Sequence, residues 1–321
     1  MLPRLILFFL FSSWLSATVA FAQSPLLDAI KSNNLSQVTT LINKNADVTV
    51  RDEDGDNALM YAALYSTVDC MKLLLQKGSN PDAQNKLGET AIMWCTHDME
   101  KTKLLLQYKA NLHLQTTDGN TPLLSACVGS TQHEMIKLLI EHGADPLQIN
   151  NKKHTALMRV AQYGDTASAR LLLSKGININ AQSSDKITAL FFAIKSSNKP
   201  MLNWLLANGA DANLKDSYNA TALSYAVILS DIDMVKPLLP VTKGINEQDI
   251  DGTTILMWAI YSEYDNPSII QLLLDNGALP NLEDKKGQTA LTWALKKGNT
   301  PTVALLKKAG AIETMKKDKS K

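Results

Sequence analysis

The chain lacks most of the features that mark an enzyme or a metal protein. Its 321 residues include three cysteines and five histidines, and no Cys-x-x-Cys or His-x-x-x-His spacing occurs. Motifs that position a nucleophile or hold a phosphate, such as Gly-x-Ser-x-Gly or a phosphate loop, are also missing. We therefore expect no metal, no cofactor and no covalent chemistry, which means a protein that is not an enzyme.

An excess of charge of either sign is also missing. Lys and Arg number 32 against 31 Asp and Glu. Because nucleic-acid binders usually carry a strong basic excess, the composition argues against nucleic acid as a partner. Lysines do collect near the end of the chain, and residues 314–321 are predicted to form a solvated basic tail. The alternative interpretation is a tail that contacts an anionic surface.

Long hydrophobic runs are confined to the first 22 residues. Arg4 is followed by an apolar stretch from Leu5 to Phe11 and then by the small-residue triplet Ala20–Phe21–Ala22. This layout predicts a secretory signal peptide over residues 1–22 and a mature chain that begins at Gln23. A retained N-terminal anchor is the alternative. Downstream, no stretch is long enough to span a bilayer, so we expect a periplasmic or secreted protein.

Cysteine is too scarce for a disulfide framework. Cys70, Cys95 and Cys127 are an odd number in a chain that is predicted to be exported. Cys95 falls at a repeat position that is otherwise mostly alanine, so we interpret it as a small buried residue. A redox role would instead need an exposed thiol in a positive environment.

The chain does contain a clear internal repeat. Segments such as DGNTPLLSAC, KKHTALMRVA and KGQTALTWAL align without gaps, and their Asn or Thr landmarks recur every 31 to 35 residues. The landmarks are Asn57, Thr90, Thr121, Thr155, Thr188, Thr221, Thr254 and Thr289. A second landmark, Leu in most units, precedes the next Thr by 17 residues every time. Changes in length are therefore predicted between two helices of one unit, where packing tolerates them.

Each unit is predicted to contain two antiparallel helices and an extended turn. Thr at the landmark is a good N-cap, and Pro122 directly after Thr121 suits the first helical turn. The second helix ends at a glycine, as in KLLLQKG up to Gly78. Pro237 breaks this pattern inside a second helix, so we predict that this helix is kinked or cut short.

These units resemble the ankyrin repeat, whose period is 33 residues and whose unit reads D-x-x-G-x-T-P-L-H-x-A before a Leu-Leu-x-x-Gly-Ala end. Thr121–Pro122–Leu123 and the segment from Leu205 to Asn213 match it closely. The histidine of the family is replaced in every unit, mostly by Met, so its hydrogen bond to Thr is predicted to give way to packing. The tip glycine of the turn is replaced by Lys153, Lys186 and Asn219 in the middle units.

The resemblance implies an all-α solenoid of stacked helix-turn-helix units with extended turns. Residues 23–51 form a predicted N-terminal capping repeat, and residues 52–313 form eight ankyrin repeats. In proteins of this family the turn tips and the outer ends of the first helices line a concave face. By position, the tips are Asp54, Leu87, Asp118, Lys152, Asp185, Tyr218 and Asp251, and the helix ends are Tyr65, His97, Tyr163, Lys195, Tyr261 and Lys296.

Two sets of aromatic residues follow from this alignment. Trp94, Trp258 and Trp293 share one column with Tyr61, Phe192 and Tyr225, which favours packing between units over a ligand site. Tyr65, Tyr163, Tyr218 and Tyr261 instead lie in columns where the repeat requires no particular side chain. Tyrosine is favoured at protein interfaces. We therefore expect Tyr65, His97, Tyr163, Lys195, Tyr218 and Tyr261 to bind a partner.

The sequence thus predicts an exported, monomeric scaffold that binds a partner protein through its concave face. A secreted host-directed effector would use the same scaffold and differ in being found outside the producing cell. An accessory subunit of an enzyme is a further alternative. The identity of the partner is not encoded in the repeat frame, because surfaces vary freely over a constant fold.

Overall fold

A computed structural model describes residues 24–129, 132–262, 266–298 and 300–313. The predicted signal peptide and the predicted basic tail lie outside these residues. The described part of the chain forms eighteen α-helices and no β-strand apart from an isolated bridge between Arg51 and Asn57. The predicted all-α fold class is confirmed.

The helices come in nine consecutive pairs. The first helices are α1 Pro25–Lys31, α3 Ala58–Tyr65, α5 Ala91–Trp94, α7 Pro122–Ala126, α9 Ala156–Tyr163, α11 Ala189–Lys195, α13 Ala222–Ile228, α15 Ile255–Tyr261 and α17 Ala290–Lys297. The second helices are α2 Leu35–Asn43, α4 Val68–Gln76, α6 Met99–Gln107, α8 His133–Glu141, α10 Thr166–Ser174, α12 Lys199–Ala207, α14 Ile232–Leu238, α16 Pro267–Asp275 and α18 Thr300–Lys308. First helices contact neighbouring first helices, and most second helices contact neighbouring second helices, so two layers enclose one continuous core.

The landmark residues begin the first helices as predicted. Asn57, Thr121, Thr155, Thr254 and Thr289 each accept a hydrogen bond from the backbone amide three residues later. The residues that replace the family's histidine are buried in most units, for example Met60, Phe191 and Met257, each fully inaccessible. Packing therefore takes over at this position, as the sequence predicted. The sulfur of Met257 also lies 3.5 Å from the backbone nitrogen of Thr254 as a weak acceptor.

The turns keep one geometry although their tip residue varies. Gly119 and Gly252 have positive φ angles, and Lys153, Lys186 and Asn219 keep φ between 57° and 62° at the equivalent position. A non-glycine residue in this region costs free energy, and Asn tolerates it best. The stacking of neighbouring turns therefore holds these residues at a positive φ, which non-glycine residues do not favour by themselves.

The predicted shortening of the helix at Pro237 is confirmed. Helix α14 contains seven residues, whereas the other second helices contain nine, and a 3₁₀ turn from Leu239 to Val241 follows it. Pro237 lacks the backbone donor that a regular helix needs at this position. Length also varies in the first helices, because α5 and α7 are four and five residues long and the other first helices contain seven or eight. The variation is therefore not confined to the turn between the two helices, although the sequence predicted that it would be.

Candidate functional site

The tips of the turns form a continuous ladder along one edge of the solenoid. The backbone nitrogen of Lys86 donates to the carbonyl of Asp54 at 3.0 Å, and the nitrogen of Asn151 donates to the carbonyl of Asp118 at 3.0 Å. The same bond recurs at every step, and its acceptors are Asp54, Leu87, Asp118, Lys152, Asp185, Tyr218 and Asp251. These are the predicted tip residues, and all of them are exposed. Their side chains are therefore presented at fixed spacing.

Beside the ladder, the shared aromatic column is anchored by hydrogen bonds to acidic residues. The indole nitrogens of Trp258 and Trp293 donate to Asp249 at 3.0 Å and to Asp284 at 3.1 Å. The hydroxyl of Tyr225 donates to Asp216 at 2.8 Å. Tyr61 donates to Asp52, and Trp94 to Glu89 at 3.1 Å, in the same way. The interpretation of this column as packing is incomplete, because every ring of the column except Phe192 also ties its helix to the preceding turn.

Each of these aspartates also stabilises its own turn. Asp249 accepts hydrogen bonds from the backbone nitrogens of Asp251 and Thr253, at 2.9 Å and 2.8 Å. At Asp52 burial acts to raise the pKa, but hydrogen bonds from Tyr61 and from two backbone amides outweigh it, and the pKa lies below its ordinary value. Burial, reinforced by the bond to Asp216, raises the pKa of Tyr225. Tyr225 therefore remains a donor at any physiological pH.

The six predicted binding residues are all exposed. Tyr65, Tyr163, Lys195 and Tyr261 are the last residues of their helices, His97 follows α5, and Tyr218 lies on a tip. Exposed fractions are 51% for Tyr65, 36% for Tyr163, 62% for Tyr218 and 64% for Tyr261. They occupy the predicted helix ends and turn tip but do not form a single cluster, because Tyr65 and Tyr261 belong to units near opposite ends of the array.

Two of these tyrosines do more for the fold than the sequence suggested. The ring of Tyr261 packs edge-on against Trp258 at 5.6 Å and against Trp293 at 6.1 Å. Tyr65 stacks on Tyr61 at 6.1 Å. The expectation that all four columns carry no structural demand is therefore wrong for these two positions, because exposed rings can still pack against their neighbours. For Tyr163 and Tyr218, no ring stacking is seen in the described residues.

Sequence reasoning missed two cationic residues. Arg159 occupies the aromatic column of a central unit, on α9, where its Nη2 donates to the side-chain oxygen of Asn120 at 2.7 Å. Lys101 is buried, and its ammonium group donates to the carbonyl of Ala63 at the end of α3, at 2.9 Å. Arg159 was visible as the single basic residue in the aligned column. Lys101 gave no signal, because an exposed lysine is the usual expectation for a charged helical position.

The cysteines are buried, as predicted for Cys95. All three are unpaired, and burial raises the pKa of Cys95 and of Cys127 to about 12. Such thiols are protonated and inert at neutral pH. In the described ranges no group of three or more His, Cys, Asp or Glu side chains is placed to hold a metal ion. No helix there is long and apolar enough to cross a bilayer.

Comparison with known proteins agrees with this architecture. A family model described as ankyrin repeats (3 copies) matches residues 26–111, 96–183, 180–249 and 230–318. The chain therefore belongs to the ankyrin-repeat family. Repeats of this family typically mediate protein–protein interactions, and its members are generally non-catalytic scaffolds.

Several curated proteins share part of this repeat array. The mouse ankyrin repeat and SOCS box protein 16 is 32% identical over 206 residues, which cover 51% of this chain and 45% of that protein. The mouse B-cell lymphoma 3 protein homolog is 28% identical over 186 residues, or 52% of this chain and 41% of that protein. Ankyrin repeat protein L86 of Acanthamoeba polyphaga mimivirus is 29% identical over 150 residues, or 39% and 26%. The chain thus spans less than half the length of these relatives.

Proposed function

We propose that this protein is an exported, monomeric scaffold that binds a partner protein along its concave face and performs no chemistry. One observation carries the proposal: exposed side chains that the repeat does not require, above all Tyr163 at the end of α9 and Tyr218 on a turn tip, lie on a frame whose turns are held together by backbone hydrogen bonds. A rigid frame lowers the entropy lost on binding, which favours affinity. The same surface on a flexible loop would bind less tightly.

The chemistry of the face favours a protein over other ligands. Tyrosine at 36% to 64% exposure offers a large apolar area with a polar end, the combination that protein interfaces enrich. The formal charge of the whole chain is +1, which is too low for a protein that recognises a nucleic-acid backbone. Export rests on the signal-peptide pattern of residues 1–22, which is separate from the argument about the face.

Site-specific photo-crosslinking tests which face binds. A photoreactive phenylalanine analogue would replace Tyr163, Tyr218 or, as a control on the opposite side, the exposed Lys137 of α8. We expect the first two positions to crosslink to the same partner protein in the producing cell, and Lys137 to give no product. Crosslinking from Lys137 alone would show that the partner uses the second helices. The concave-face proposal would then be wrong.

A further inference from the structure

Arg159 differs from every other side chain at its repeat position. The equivalent residues are Tyr61, Trp94, Ser125, Phe192, Tyr225, Trp258 and Trp293. The aromatic members that carry a polar atom direct it to an acidic residue of their own unit's turn. Arg159 is the one cation in this column, it is half-buried, and it lies in the fourth of the eight repeat units. It therefore places a guanidinium group near the middle of the concave face.

The guanidinium group is only partly satisfied by the protein. Its Nη2 donates to Asn120 at 2.7 Å, but that amide oxygen also accepts from Asn150 at 3.0 Å. The buried Nε has no acceptor in the described part of the chain, and the hydrogen bonds found there include none from Nη1. Buried donors are almost always paired, so an orphaned one calls for an explanation.

No carboxylate in the described ranges forms an ion pair with Arg159. The carboxylate that acts on the pKa of Arg159 is that of Asp118, an exposed residue on the tip of the preceding turn, and Lys152 and His154 of its own turn add no negative charge. Burial lowers the pKa of Arg159, yet arginine stays protonated at any physiological pH. Among the described residues this positive charge thus has no ion-pair partner in a partly desolvated position, which is costly unless a counter-charge arrives.

We infer that Arg159 receives a carboxylate of the bound partner, the side chain of an Asp or Glu, and that Tyr163 packs against the residue beside it. This inference rests on the proposed function. Tyr163 lies four residues after Arg159 on α9, so the two side chains are neighbours on one helix face. Arg and Tyr are enriched among the residues that dominate binding energy near interface centres. A guanidinium group binds a carboxylate through charge-assisted hydrogen bonds that Gln cannot supply.

A peptide selection tests this pairing without knowledge of the natural partner. The full chain would be used to select binders from a displayed library of random peptides, and the best binder would be made as a soluble peptide. We expect selected peptides to share an Asp or Glu at one position. Arg159→Gln should weaken binding of that peptide roughly 10- to 100-fold, as should the acid-to-amide change in the peptide. When both changes are combined, the loss of affinity should be little larger than the loss from either change alone.

Arg170 provides the matched control, because it is an exposed arginine on α10, a second helix on the other side of the solenoid. Arg170→Gln should leave peptide affinity unchanged, and thermal melting would confirm that both variants fold. Arg159→Lys, which keeps the charge without the planar fork, should lie between wild type and Arg159→Gln.

The outcomes separate this inference from the proposed function. If peptides bind with an affinity that Tyr163→Ala lowers and Arg159→Gln does not, the inference about Arg159 is wrong and the concave face stands. The inference and the proposed function are both wrong if selection yields no binder. They are also both wrong if it yields only peptides whose binding is abolished by Arg170→Gln and unchanged by Tyr163→Ala and by Arg159→Gln. An additive double mutant would also refute a direct contact.

Discussion

The indole nitrogen of Trp293 donates a hydrogen bond of 3.1 Å to the carboxylate of Asp284, nine residues earlier in the chain. Tyr225 and Asp216 are related in the same way, as are Trp258 and Asp249. The aspartate also accepts from the backbone of its own turn. One carboxylate therefore joins the turn to the first helix of the same unit and holds the turn against that helix.

Removing one of these bonds should lower stability. Tyr225→Phe keeps the ring but leaves the Asp216 carboxylate without its hydroxyl donor, so we expect the free energy of unfolding to fall by roughly 1 to 2 kcal/mol, since bonds to charged groups are the stronger ones. Chemical denaturation measures this. The control is Tyr218→Phe, which removes an exposed hydroxyl on a tip and should change stability by less than about 0.5 kcal/mol. Equal effects of the two variants would contradict a structural role for the pairing.

Lys101 should contribute to stability, although most lysine side chains are exposed and contribute little. Its ammonium group donates to the carbonyl of Ala63 in a buried position, so Lys101→Met leaves that acceptor unpaired and should destabilise the protein by roughly 1 to 3 kcal/mol. Lys103→Met, two residues later on the same helix and exposed, is the control and should be nearly neutral. A melting temperature that stays unchanged in Lys101→Met would count against this role.

The unit that contains Pro237 should open before its neighbours. Helix α14 is two residues shorter than α10 and ends in a 3₁₀ turn, and in a solenoid only adjacent units support it. Hydrogen exchange should therefore be faster in residues 232–241 than in residues 166–174. We also expect Pro237→Ala, which restores a backbone donor, to slow exchange there. Equal protection of the two segments in the wild type would refute the prediction.

The exposed tyrosines should separate into two classes. Tyr218→Ala should change the free energy of unfolding by less than about 0.5 kcal/mol, because the ring makes no stacking contact in the described residues. Tyr261→Ala removes contacts with Trp258 and Trp293 and should cost roughly 0.5 to 1.5 kcal/mol. Denaturation curves and partner-binding affinities, measured on the same variants, distinguish a loss of stability from the loss of a direct contact with the partner. Affinity that is lost at Tyr218 without any loss of stability would support a direct role in binding.

The predicted signal peptide can be tested on the natural product. Cleavage after Ala22 predicts that mass spectrometry finds Gln23, in free or cyclised form, at the N-terminus of the mature protein. An Ala22→Arg variant should block this processing, because the peptidase pocket accepts small side chains there. An intact Met1 on the isolated wild-type protein would refute export through this signal.

Much of the fold could be predicted from the sequence, because the same local signals recur in every repeat unit. The landmark Thr residues predicted where first helices begin, and the constant distance of 17 residues between landmarks placed the variable segment between the Thr landmark and the second helix. Pro237 predicted a shortened helix, because a missing backbone donor acts locally whatever surrounds it. Each of these features depends on residues within one unit.

Other features of the protein depend on contacts between units and between distant residues, and only the tertiary structure decided them. The sequence alone determined an all-α ankyrin solenoid and which residues lie at its turn tips and helix ends. Three features could be recognised only in the three-dimensional structure. They are the pairing of Lys101 with Ala63, the packing of Tyr261 between two tryptophans, and the unsatisfied guanidinium group of Arg159. The physical reason is that burial and hydrogen-bond partners are set by neighbouring units, 28 to 39 residues away in the chain, where local sequence patterns carry no information.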